Sequence, residues 1–135
     1  MFISDQRTLL KYLDLLEKAE VINTLSQNAK GSKIMQKPDK IYPGNTNYFY
    51  GLNFSGEESG TIRETFFESQ LDFGYQLNLP SKGDFMVNNK YTFEIGGKNK
   101  SNHQIKDLNN AWLVLDDIDN GIFNTIPLWL VGFLY

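Results

Sequence analysis

Three carboxylates and a lysine raise the chemical question in this sequence. Asp84 sits near the start of the run GDFMVNNKYTFEIGGKNK, residues 83–100, Glu94 lies inside it, and Glu64 precedes it in TIRETFFESQLDFG. Two carboxylates brought together from adjacent strands can hold one divalent ion, Mg²⁺ or Mn²⁺, through oxygen ligands. Such an ion polarises a phosphate and activates a water. The candidate metal ligands are therefore Asp84 and Glu94, with Glu64 as a third carboxylate and Lys98 as the nearby cation. Each acid also has a plainer role: Glu64 suits the first turn of a helix, Asp84 after Gly83 suits a turn, and Glu94 between Phe93 and Ile95 suits the solvent side of a strand.

These residues need elements to position them. Ile62, Phe66 and Phe67, with Leu71 and Phe73, predict a helix after Thr61 that Gly74 stops. The short runs YQLNLP, DFMVNN and YTFEIGGK predict three strands, with Asn88-Asn89 as the tight turn of the hairpin that brings Asp84 towards Glu94. The polar SNHQIKDLNN is expected to be helical and AWLVLDDI to be a further strand. The expected order is thus helix, three strands, helix, strand: a mixed sheet with helices packed on it.

Upstream, Leu9, Leu10, Leu13, Leu16 and Ala19 recur at helical spacing and predict an amphipathic helix over about 6–19, with Ser4 or Asp5 as N-cap. EVINTLSQ and the neighbourhood of 40–42 read as two strands joined by a basic loop. A helix followed by such a hairpin is the second half of a winged helix, a module that binds DNA or serves as an interaction domain. Lys30, Lys33, Lys37 and Lys40 would carry the DNA-binding alternative. The polar, glycine-rich 53–60 is the expected linker between a segment over 1–52 and a domain over 61–135. The fold class is α+β.

Bulk composition narrows the field. With 41% hydrophobic and 14% aromatic residues among 135, the chain can bury a core. Thirteen basic against 16 acidic residues leave a net charge of -3, so no large positive field gathers nucleic acid nonspecifically. The absence of cysteine removes disulfides and thiolate chemistry and fits a cytoplasmic setting. The apolar run IPLWLVGFLY is shorter than the ~20 residues that span a bilayer. It is expected to pack back on the sheet or against a partner. His103 is expected to be exposed among polar neighbours, and Asp116, Asp117 and Asp119 to close a strand in a solvated turn.

The order helix-Glu, strand-Asp, strand-Glu resembles the PD-(D/E)XK nuclease superfamily. Together, TLLKYLDLLEKA, KPDKIYPGNTN, RETFFESQL, KGDFMVNNKYTFEIGGKNK and IPLWLVGFLY resemble the C-terminal half of prokaryotic AAA-type P-loop ATPases, a region known as domain of unknown function 4143. The resemblance implies a partial winged helix followed by a nuclease-like α-β-β-β-α-β domain, with an ATPase domain or another protein as partner. The sequence departs from the pattern in two places. It has no G-x-x-x-x-G-K-[ST] segment and so no ATP site of its own. The superfamily's lysine, two residues after the strand Glu, is here Gly96. Lys98 shares the strand face but lies roughly 13 Å from Glu94, not about 7 Å, at ~3.3 Å per residue. The expected function is therefore a non-catalytic accessory module, with a metal-dependent nuclease as the alternative. Glu20 stands where a glycine would readily cap the first helix.

Overall fold

The computed structural model describes residues 5–27, 36–52 and 59–134. Ser4, Lys30, Lys33, Tyr135 and most of the expected linker, 53–58, lie outside the described residues. Helix α1 spans Gln6–Lys18, and Asp5 caps it, its side chain accepting from the Arg7 amide at 3.0 Å. The helix ends on Glu20, which adopts a φ of +58°. Val21 N–H then reaches back to the Leu16 carbonyl at 3.0 Å, satisfying an end carbonyl as helix C-termini require.

Strands β1, Ile22–Leu25, and β2, Lys40–Pro43, pair antiparallel with Asn23 opposite Tyr42. A short helix α2, Asn47–Gly51, follows, and α3 spans Ser59–Leu71. The second sheet holds five strands in sequential order: β3 Leu77–Asn78, β4 Phe85–Val87, β5 Tyr91–Gly96, β6 Ala111–Leu115 and β7 Thr125–Pro127. The first three strands run antiparallel in turn, while β5 to β6 and β6 to β7 are parallel. A 3₁₀ helix, Leu128–Phe133, closes the described chain. The class is α+β, with two sheets and four helices among the described residues.

Two expectations about elements change. Residues 101–110 form successive turns rather than a helix. Parallel strands need a crossover of about a dozen residues or more, usually helical. Here the crossover is instead folded by Ile105 N–H on the Asn102 carbonyl and Leu108 N–H on the Ile105 carbonyl, both at 3.0 Å. Ile105, only 1% exposed, plugs it into a core with Ala111, Leu113 and Leu115. Phe73, expected inward, is fully exposed, because α3 ends at Leu71 and the chain turns before Phe73 can join the helix's inner side.

The main core joins both ends of the chain. Leu25 and Tyr42 of the first hairpin pack in one cluster with Phe67 and Leu71 of α3, Phe85, Val87, Ile95 and Val114 of the large sheet, and Leu128 and Val131 of the 3₁₀ helix. The C-terminal run thus packs back through Leu128 and Val131, while Trp129, Leu130 and Phe133 remain outside. Among the described residues, no helix is long and apolar enough to cross a membrane.

Candidate carboxylate site

The hairpin that carries Asp84 and Glu94 forms as its sequence dictates. Val87 pairs with Tyr91, so three residues, 88–90, make the connection; Asn88 and Asn89 both take positive φ, 52° and 53°, which Asn tolerates best after Gly. The side chains then lock the turn: Asn88 Oδ1 accepts from Gln76 N–H at 3.0 Å, and Asn89 Oδ1 accepts from Asn78 Nδ2 at 2.6 Å. Phe85 pairs with Phe93 in the resulting register, which sets Asp84 opposite Glu94 one step further on. Side chains alternate along a strand, so both acids lie on the face opposite Phe93 and Ile95.

Glu94 does not reach solvent. It is 0% exposed, because the sheet is covered on both faces: Phe93 and Ile95 belong to the α3 side, while Glu94 pairs with Leu113 of the second apolar cluster. The expectation that Glu94 points to solvent is corrected by this second layer. Asp84 is partly buried, and its Oδ2 accepts the Ile95 N–H at 2.8 Å, taking a donor that a neighbouring strand's carbonyl would otherwise take. Burial raises the Asp84 pKa; the Ile95 N–H opposes this, nearby Glu94 and Glu64 add to the rise, and Lys100 opposes it.

The cation at Glu94 is Lys100. Its Nζ lies 2.7 Å from Glu94 Oε1. The contact is an ion pair by distance rather than an aligned hydrogen bond, since neither Glu94 oxygen accepts one of good geometry. Lys100 reaches Glu94 because residues 97–100 turn back, Lys100 N–H bonding the Gly97 carbonyl at 2.9 Å. Its side chain then lies against Gly96, where an added β-carbon would collide with Lys100 Cβ and Cγ. Contact with Glu94 raises the Lys100 pKa and keeps the ammonium charged. Lys98 instead points to solvent, 3.9 Å from Asp117 Oδ2.

Glu64 lies on the same α3 side that meets the first hairpin. Tyr42 donates its hydroxyl to Glu64 Oε2 at 2.7 Å, and Lys40 Nζ lies 3.2 Å from the same oxygen. One turn along, Asn23 donates to Glu68 Oε2 at 2.8 Å. Burial, followed by the Glu64 contact, pushes the Tyr42 phenol far above its ordinary value. Sequence reasoning missed Tyr42 and Lys100 as parts of this site. The signal for Lys100 is the Gly96-Gly97 pair, which permits the turn over 97–100. Of the basic residues considered for nucleic acid, Lys40 is turned to Glu64 and Lys37 is exposed.

An open cleft of about 420 Å³, lined by Arg63, Gly97, Lys98, Asn99, Lys100 and Asp117, adjoins the ion pair. Arg63 Nε, on its wall, pairs with Asp116 Oδ2 at 2.9 Å. His103 is exposed. No protein-family model, curated protein or solved structure matches the chain. Among the described residues, no three His, Cys, Asp or Glu side chains gather closely enough to hold a metal ion. Glu94 and Asp84 nonetheless present the oxygen chemistry a divalent cation needs. The Glu94 oxygens are fully buried, and Oε1 already has the Lys100 ammonium at 2.7 Å.

Proposed function

We propose that the chain is a non-catalytic accessory module, the winged-helix and nuclease-like portion of an AAA-type ATPase, acting through contacts with an ATPase domain or another protein. One observation carries this reading: every carboxylate of the site already has a partner within the chain, Glu64 in Tyr42 and Lys40, Asp84 in the Ile95 amide, and Glu94 in the Lys100 ammonium as an ion pair. Surface chemistry supports a contact role. Helix α1 has no buried residue and leaves Leu9, Tyr12, Leu15 and Leu16 exposed, while the 3₁₀ helix leaves Trp129 and Phe133 exposed.

The test pairs a cleavage assay with a binding assay. Plasmid DNA incubated with the purified chain in Mg²⁺ or Mn²⁺ should stay intact. Sedimentation with a separately prepared P-loop ATPase domain should show a complex that Leu15→Ser with Leu16→Ser weakens. Metal-dependent cleavage abolished by Glu94→Ala would sink the accessory reading.

The second reading, a metal-dependent nuclease of PD-(D/E)XK type, gains from one specific feature: Lys100 stands beside Glu94 in the space that Gly96 leaves open. In that reading Asp84 and Glu94 would hold the ion that activates water, Glu64 would not join them, and Lys100, not Lys98, would supply the lysine.

A further inference from the structure

The β7 edge of the large sheet carries a knob and a hollow beyond what its core needs. The knob is the turn before β7, where Phe123 is 97% exposed and Ile122 beside it 69%. Phe123 also holds a φ of +56°, a conformation that glycine takes without strain and a bulky side chain rarely adopts. Three hydrogen bonds fix the turn in that shape: Thr125 N–H on the Ile122 carbonyl at 3.0 Å, Leu113 N–H on the Asn124 carbonyl at 2.9 Å, and Asn124 Nδ2 on the Ala111 carbonyl at 3.2 Å. The hollow, beyond the other end of β7, is a cleft of about 300 Å³ lined by Tyr50, Ile62, Phe66, Leu128 and Trp129, with Arg63 as its base. Trp129 is set in that wall by its indole N–H on the Ile118 carbonyl at 3.2 Å. The volume lies at the low end of small-molecule pockets, about 300–1,000 Å³, and suits one aromatic side chain.

We propose that this edge pairs the chain with a second copy of itself, Phe123 of each copy entering the aromatic cleft of the other about a two-fold axis beside β7. Knob and cleft flank the same three-residue strand, so they lie only about 10 Å apart along it. A single patch that holds both a knob and the hollow it fits meets the condition for a closed, isologous pair, in which every contact is made twice. The signs of charge agree, since the loop over 118–124 carries Asp119 and no base while the cleft carries the Arg63 guanidinium. A net charge of -3 sets only a weak repulsion between copies. Because the turn is already fixed, seating Phe123 costs little ordering, which favours an aromatic anchor. Pro127 has no N–H to offer at this edge, so the contact runs through side chains and not through strand pairing. The proposal rests on the contact role of the 3₁₀-helix surface, names its partner, and leaves α1 to the ATPase-domain contact.

The experiment is sedimentation equilibrium over a range of concentrations on the unaltered chain, Phe123→Gly, Trp129→Ala and Phe73→Ser. The unaltered chain should pass from one copy to two and no further. Phe123→Gly should raise the dissociation constant about 30-fold or more, the mark of an interface hot spot. Diluted to single copies, that variant should melt no lower than the parent, because glycine suits the turn. Trp129→Ala should weaken the pair as well; if it does not fold, Phe123→Gly decides alone. Phe73, fully exposed on the approach to β3 at the opposite edge of the sheet, is the control, and Phe73→Ser should leave the pair intact. A chain that stays single at every concentration overturns the proposal. So do growth past two copies, an equal loss in Phe73→Ser, and a pair unchanged by Phe123→Gly or by a folded Trp129→Ala. None of these outcomes decides the ATPase-domain complex, which the Leu15→Ser with Leu16→Ser variant tests separately.

Discussion

Lys100 and Gly96 share one space: the lysine stem lies where a side chain at position 96 would begin, and its Nζ ends 2.7 Å from Glu94 Oε1. Gly96→Ala therefore forces Lys100 outward. Overpacking costs about 1–3 kcal/mol, and stripping a buried carboxylate of its partner costs about 3–5 kcal/mol when complete. The expected loss lies within that span, read by chemical denaturation. Lys100 should at the same time become more reactive to amine acylation. An alanine variant as stable as the parent would show that Lys100 does not depend on the glycine.

What the sequence reveals of this site follows from how local each feature is. The Leu9–Leu16 spacing and the Asp5 cap announce α1, and the Asn88-Asn89 pair announces the hairpin turn, because each depends on residues a few positions apart. The opposition of Asp84 and Glu94 follows from that turn. The burial of Glu94 does not: alternation distinguishes the two faces of a strand but cannot tell that the second face is covered by Ile105 and Leu113. The fold-back of Lys100 depends on a turn over 97–100, which Gly96-Gly97 permits without specifying. The absent crossover helix has the same cause, since polar 101–110 offers Ile105 as its one fully buried anchor, and a single long-range contact leaves no periodic trace. Strand β7 escaped notice because Thr125–Pro127 is three residues long and ends in proline, which is tolerated at the sheet edge it occupies.

Tyr42 links the first hairpin to α3 through Glu64. Tyr42→Phe removes the hydroxyl donor and keeps the ring contact with Phe85, whose centroid lies 5.7 Å away. The expected cost is about 1 kcal/mol, below the about 1.5–3 kcal/mol usual for a hydrogen bond to a charged group, because the Glu64 side chain is 24% exposed and keeps Lys40. Urea denaturation measures it. A loss several times larger would mean that the hydroxyl organises more of the site than Glu64.

Asp84 gives a pH dependence with a definite sign. Its pKa is raised in the folded chain, so the folded state binds this proton more tightly than the unfolded state does. Between the ordinary Asp value of 3.8 and the raised folded value, stability from this group falls as pH rises, and above that window the penalty is fully present. Asp84→Asn removes the penalty, and its side-chain carbonyl can still accept the Ile95 N–H. The variant should be more stable than the parent at neutral pH, with the advantage shrinking as the pH falls through that window and gone below 3.8. Denaturation midpoints compared across that range test this, and an advantage independent of pH would assign the effect to packing.

Glu20 ends α1 in the left-handed region at a φ of +58°, where a side chain costs roughly 1–2 kcal/mol and glycine costs almost nothing. The turn is fixed from both sides: Glu20 N–H bonds the Glu17 carbonyl at 2.9 Å, and Val21 N–H bonds the Leu16 carbonyl at 3.0 Å. Relaxing to another conformation would therefore break the helix end. Glu20→Gly relieves the strain but widens the freedom of the unfolded chain, a counter-effect of about 0.4–1 kcal/mol. The net expectation is a gain of about 0.5–1 kcal/mol, visible as a higher midpoint in thermal denaturation. Glu20→Ala keeps the strain and should show no such gain, so equal behaviour of the two variants would trace the effect to the lost charge and not to the backbone.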